Sequence, residues 1–147
     1  MRNTLKLNRL GLDLIKKFEG FQGKVYVCPG GYKTIGYGHK ILPGEKFGEI
    51  SLDEAELLLE KDLQIVQNTI NRNIKASLND NQFSALASFT MNLGAAALQR
   101  SSLRQKINYG ADKYEVASEF LRWVYSNGAK LRGLIIRRKI ESILYSI

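Results

Sequence analysis

Ser51-Leu52-Asp53-Glu54 opens a long run of helical periodicity, and that run does most to set what this chain can fold into. Ser51 at the N-cap and Glu54 three positions on form a capping box, each side chain satisfying a backbone N–H near the other. Behind it Ala55, Leu58, Leu59, Leu63, Val66 and Ile70 recur on one helical face, which carries the helix to about Ile74. A single helix of that length can bridge two lobes. The patterns on its two sides differ in kind, which is what a bridge requires.

In front of it, Leu7, Leu10, Leu14, Ile15 and Phe18 repeat at helical spacing from about Asn8, and Gly20 is a natural stop. Lys24 to Val27 then reads as a short strand, Pro29-Gly30-Gly31 as its turn and Tyr32 to Tyr37 as the returning strand. A loop with Pro43 and Gly44 leads to an expected third strand around Lys46 to Ile50. Behind the long helix, Asn79-Asp80-Asn81-Gln82 repeats the capping logic, and the helix it opens ends at Gly94. Shorter helices are expected from Ser102 to Tyr109 before Gly110, from Lys113 to about Tyr125, and from Gly133 or Leu134 to about Tyr145. The expected class is α+β, one domain over residues 1–147, with a small hairpin sheet in front and a helical lobe behind.

Charge and cysteine usage narrow the function. One cysteine excludes an internal disulfide and a cysteine-rich metal site, and one histidine argues equally against a histidine-based zinc site. No metal or other cofactor is expected. The start, Met1 to Arg9, lacks the long apolar run of a signal peptide or membrane anchor, so synthesis in the cytoplasm and no stable membrane insertion are expected. Net charge is +8, and residues 100–147 hold ten basic residues against four acidic ones. A basic face attracts polyanions: nucleic acid, anionic lipid or an anionic cell-wall polymer. No helix-turn-helix, zinc-finger or ribonucleoprotein motif accompanies the charge, so nucleic acid is not the expected partner.

The chemistry concentrates between Phe18 and His39. The first helix delivers Glu19 at its C-terminal end, where the negative end of the helix dipole favours a protonated carboxyl group. A polar cluster follows in the glycine-rich hairpin: Cys28, Thr34 and the single histidine, His39. An acid beside a hydroxyl and a second ionisable group that can hold water is the equipment of an acid-catalysed glycoside hydrolase.

The spacing of these residues, Glu-x8-Cys-x5-Thr, resembles the catalytic signature of phage-type lysozymes, the endolysins of glycoside hydrolase family 24. There the middle position is usually aspartate, with cysteine as a known variant. The resemblance continues through Thr34-Ile35-Gly36-Tyr37-Gly38-His39, Asp53-Glu54-Ala55-Glu56, Asn81-Gln82-Phe83, Phe89-x-x-Asn92-x-Gly94, Phe120-Leu121-Arg122-Trp123 and Gly133-Leu134-x-x-Arg137-Arg138-x-x-Glu141. It covers nearly the whole chain, in order. It implies a lysozyme-like fold with a cleft between the lobes. It also implies hydrolysis of the β-1,4 bond between N-acetylmuramic acid and N-acetylglucosamine in bacterial peptidoglycan, in phage-driven host lysis. The enzyme would be a monomer that reaches the wall in the periplasm with the help of a separate holin.

By the same resemblance Glu19 is the general acid, Thr34 holds the attacking water and Cys28 stands where the aspartate would be. Asn92 offers a cleft-facing amide to substrate. His39 is expected to pair with Asp62 on the bridging helix and lock the hairpin against it, a structural role beside the site. Trp123 reads as core, and Arg137 and Arg138 as partners for Glu141 or Glu119 or as part of the basic face. Two other functions fit some of these residues. A lytic transglycosylase uses one acid and no activated water, which Thr34 argues against. A non-catalytic wall or nucleic-acid binder would use the basic face alone.

Overall fold

The computed structural model describes residues 6–147, so the first five residues of the Met1–Arg9 stretch lie outside the described residues. Helix α1 (Arg9–Glu19) begins at Asn8, whose Oδ1 accepts from the Gly11 N–H at 2.9 Å. It leads into β1 (Gln22–Val27), β2 (Lys33–Gly36) and β3 (His39–Lys40), an antiparallel sheet in sequence order. Tyr26 pairs with Thr34, Thr34 with Lys40 and Ile35 with His39, and β1 carries an irregularity between Gln22 and Tyr26.

The third strand is therefore His39–Lys40, not the expected segment around residues 46–50, which has no regular structure. Gly36 (φ 68°) and Gly38 (φ 74°) make the turn tight enough for the chain to pair with β2 at once, and only glycine holds those angles without strain. With that position filled, the later segment stays outside the sheet, where Ile50 N–H reaches Gly23 O at 2.9 Å and Phe47 lies edge-on against His39.

Helix α2 (Leu52–Asn73) has the expected capping box, with Glu54 N–H donating to Ser51 Oγ at 3.1 Å. Its first half packs Ala55 and Leu59 against the sheet, and its second half packs against α3 (Asp80–Leu93). Helix α3 is buried at every residue from Phe83 to Thr90, the pattern of a helix enclosed on all sides. Helices α1, α2, α4 (Ala95–Arg100) and α7 (Arg132–Ser146) pack on it, while α5 (Ser102–Tyr109) joins α4 to α6 (Lys113–Phe120), which packs on α7. One buried apolar cluster runs from Ile15 through Leu63, Phe89 and Phe120 to Tyr145.

Two differences from the sequence reading lie behind α3. The segment after Gly94 forms α4, which its alanine-rich start permits. Helix α6 stops at Phe120 rather than near Tyr125, and a small hairpin follows, β4 (Tyr125–Ser126) paired with β5 (Ala129–Lys130). The Asn127-Gly128 pair between them, both at positive φ, is the turn chemistry that suits a two-residue hairpin. Trp123, half-buried against this core, meets Phe89 edge-on at 5.5 Å, as expected of a core residue.

Candidate active site

Helix α1 ends at Glu19 because Gly20, at φ 68°, turns the chain out of the helix while its N–H still reaches Lys16 O. The Glu19 carboxylate lies directly on the Gly38 backbone, where a Cβ would collide with Oε1. Position 38 thus needs glycine twice, for its φ and for the space Glu19 occupies. From the far lobe Arg137 Nη1 donates to Glu19 Oε2 at 2.6 Å, so the acid is clamped between the hairpin turn and α7. The guanidinium also stacks over Phe18, 5.0 Å from its ring centre.

Glu19 opens into a cleft of about 570 Å³ that runs between the sheet and the helical lobe. Cys28, Thr34, Tyr26 and Lys40 line its front wall, and Asn92, Arg137 and Tyr125 line its rear. The fold therefore brings together Glu19, Cys28, Thr34 and Asn92. His39 and Asp62 are not on the cleft.

Thr34 is buried and its hydroxyl donates to Tyr32 O at 2.9 Å. Cys28 begins the tight turn into β2, with Gly31 N–H donating to Cys28 O and Cys28 N–H to Tyr32 O. Partial burial pushes the Cys28 thiol up, but hydrogen bonds to the sulfur from Thr34, Tyr32 and Gly30, with the charge of Lys40, outweigh it and hold the thiol below its ordinary value. The Thr34 hydroxyl has one proton, so it bonds either the Tyr32 carbonyl or an ionised sulfur.

His39 is buried behind this wall between two carboxylates: Nδ1 lies 2.8 Å from Asp62 Oδ2 and Nε2 lies 2.9 Å from Glu45 Oε1. The expected pairing with Asp62 is present, and Glu45 adds a second contact from the Pro43–Gly44 loop. The hydrogen bond to Asp62, with help from Glu45 and against the opposing effect of burial, pushes His39 up to about 9. A folded pKa above the unfolded 6.5 makes this stabilisation fully present below about pH 6.5 and lost as pH rises through about 9. The shift corresponds to at most about 3 kcal/mol. Melting temperature is expected to fall from pH 6.5 to pH 9.5, and an Asp62→Asn, Glu45→Gln double variant to lose that slope. An equal slope in the variant would assign it to other groups.

Arg137, Arg138 and Glu141 form the other support. Glu141 is 1% exposed and Arg138 0%. Arg138 Nε lies 3.0 Å from Glu141 Oε1 in an ion pair without hydrogen-bond geometry, while Arg137 Nε lies 3.3 Å from Glu141 Oε2. Ser88 Oγ also donates to Glu141. Both arginines are thus partners of Glu141 and neither belongs to the basic face. Glu119 instead pairs with Arg122 at 3.1 Å and Lys106 at 3.7 Å.

Sequence reasoning missed three parts of this site. Arg137 as the partner of Glu19 joins residues 118 apart, and no spacing rule could have found it. Tyr125 and Ser126 reach the cleft through the β4–β5 hairpin, which the Asn127-Gly128 dipeptide did signal. Glu45 had only its position beside a Pro-Gly turn to mark it. Among the described residues no group of three or more His, Cys, Asp or Glu side chains could hold a metal ion, and no helix is long and apolar enough to cross a membrane.

A two-lobed α+β fold with one acid at the end of the first helix and a thiol and a hydroxyl on the facing hairpin defines a lysozyme-like architecture. The muramidase domain of SpmX from Asticaccaulis excentricus superposes with a TM-score of 0.85 at 32% identity, covering 99% of each chain. The phage lysozyme family model matches residues 16–141, and the chain belongs to that family. An endolysin of Acyrthosiphon pisum secondary endosymbiont phage 1 is 36% identical over 146 residues, covering 96% of this chain and 98% of that one. An endolysin of Bacillus phage B103 is 38% identical over 143 residues, covering 96% of this chain. This chain spans about half of that relative's length, 54%.

Proposed function

We propose that the chain is a muramidase that hydrolyses the β-1,4 bond between N-acetylmuramic acid and N-acetylglucosamine in bacterial peptidoglycan, in phage-mediated or prophage-encoded lysis. The observation that carries this reading is the gathering of Glu19, Cys28 and Thr34 on one cleft, with Glu19 clamped by Arg137 and seated on Gly38. Membership of a family that includes endolysins supports the same substrate.

In this reading the protonated Glu19 carboxyl gives its proton to the glycosidic oxygen as the C1–O bond breaks, and the leaving sugar departs as an alcohol. A water held by Thr34 Oγ1 attacks C1. Its proton passes to the Cys28 thiolate, whose negative charge also stabilises the oxocarbenium-like transition state. Arg137 aims the acid, and on its loss of the proton meets the new carboxylate with a charge-assisted bond. The step needs side chains and water only. The whole chain acts as one catalytic domain, a monomer in this reading, and its basic surface faces a polymer whose peptides end in carboxylates. A holin would supply the route to the periplasm.

The test is turbidity of a peptidoglycan suspension together with product analysis. Clearing with new reducing ends supports hydrolysis; a suspension that stays turbid, or products ending in 1,6-anhydro rings, removes it. Cys28 offers a sharper check. Cys28→Asp is expected to keep much of the activity and Cys28→Ala to lose considerably more. Because the active form is the thiolate, parent activity rises with pH through the lowered thiol pKa, and Cys28→Asp moves that limb to lower pH. An alanine variant as active as the parent at every pH would reduce Cys28 to packing.

A further inference from the structure

Arg138 heads the fully buried side chains by size, and a guanidinium out of water needs a reason to be there. Glu141 neutralises it, and the face of Phe89 lies 5.2 Å from it, yet an apolar residue would fill the same space with no counter-charge. Its remaining directed contact leads to the cleft: Nη2 donates to Asn92 Oδ1 at 2.6 Å. Asn92 sits one residue before the last of α3 and lines the cleft wall opposite the hairpin.

An asparagine amide can present either its carbonyl or its N–H2 group by a half-turn about its last bond. A cation can hold only the oxygen. We propose that Arg138 is a positioning residue that fixes the Asn92 amide oxygen-inward, so that position 92 donates to the substrate, and that its partner is the acetamido carbonyl of an N-acetylated sugar. With the amide oxygen held inward by Arg138, the group turned to the cleft is the N–H2, which only donates. Sugar hydroxyls both donate and accept, whereas the acetamido oxygen only accepts and recurs on every N-acetylated sugar of the strand, which makes it a matching group on the glycan. The supporting frame is shared: Arg137 and Arg138 are consecutive on α7, Glu141 holds both, one aims Glu19 and the other aims Asn92. Acid and amide are therefore referenced to one buried carboxylate.

This inference rests on the muramidase reading, and kinetics on soluble peptidoglycan strands separate the two. Asn92→Asp keeps an oxygen for Arg138 but replaces the N–H2 donors, so the protein folds as before. Its KM on N-acetylated strands is expected to rise about tenfold, the loss falling on KM rather than kcat. The parent's preference for N-acetylated over chemically de-N-acetylated strands is expected to vanish or reverse. Arg138→Lys is expected to raise KM in the parent but not in an Asn92→Ala background, while lowering the melting temperature equally in both. If Asn92→Asp keeps the parent KM and preference, or Arg138→Lys raises KM equally in both backgrounds, Arg138 is a structural residue only. If Arg138→Lys does not fold, the Arg138→Met, Glu141→Leu pair takes its place in both backgrounds, where an equal rise in KM with and without Asn92 again makes Arg138 structural only. A parent that fails to clear peptidoglycan removes the muramidase reading itself, and this inference with it.

Discussion

Glu19→Gln is expected to leave the fold intact and to lower the rate of peptidoglycan hydrolysis at least about a hundredfold, the usual scale of a lost general acid. The amide oxygen still accepts from Arg137 and fits over Gly38, so neither the clamp nor the turn is disturbed. What it lacks is a transferable proton, and an alkoxide leaving without one is a far poorer leaving group. Melting temperature and turbidity clearing, measured on the same preparation, check the two halves separately. A variant that melts like the parent and clears peptidoglycan at a comparable rate would remove Glu19 as the acid, and most of the proposed mechanism with it.

Glu141→Ala is expected to produce the largest loss of stability of any single change at the site, about 3–5 kcal/mol, because it takes the carboxylate paired with the buried Arg138 and one of the two carboxylates that hold Arg137. Arg138 is 0% exposed and Arg137 5%, so neither can turn to water without opening the lobe. Burial already pulls Arg138 down to about 10 against the favourable charge of Glu141, and removing that charge leaves burial and the repulsion of Arg137 opposed only by the smaller effect of Glu19. In a domain of this size the loss lowers the melting temperature by about 10–15 °C. Replacing Arg138 with Met and Glu141 with Leu together is expected to recover most of it, since an apolar pair needs no counter-charge. A Glu141→Ala melting temperature within a degree or two of the parent would show that the arginines find other compensation.

The buried cluster also bears on the basic surface. Arg137 and Arg138 leave it for the interior, but Glu141 and Glu119 are buried as well, so the positive excess of the last third still faces solvent. A polyanion meets that excess undiminished.

The local features of this chain were legible from local rules. The capping boxes at Ser51 and Asn79 start α2 and α3 where the side chains say they must, since an N-cap bond involves residues three apart. Glu19 at a helix end and Thr34 within a strand follow from periodicity and a glycine stop. The family motif brought Cys28, Asn92 and the His39–Asp62 pair into one list, although their contacts span the fold. Errors fell where two local solutions competed: residues 46–50 look as extended as His39–Lys40, and only the Gly36–Gly38 turn settles which one takes the open edge of β2.

By itself, then, the sequence determined the main helices α1, α2, α3, α5 and α7, the first hairpin, the α+β division and the residue types of a hydrolytic site, because each depends on neighbours within a few residues; α4, the end of α6 and the β4–β5 hairpin came with the structure. Tertiary structure alone decided that Arg137 clamps Glu19, that Glu45 completes the cage around His39, and that Arg138 reaches Asn92 from the core. Those pairings join residues brought together by packing α7 on α3 and the Pro43–Gly44 loop on the sheet. A charged side chain looks the same in sequence whether it ends in water or in the interior; its burial, and so its chemistry, is set by what the rest of the chain folds over it.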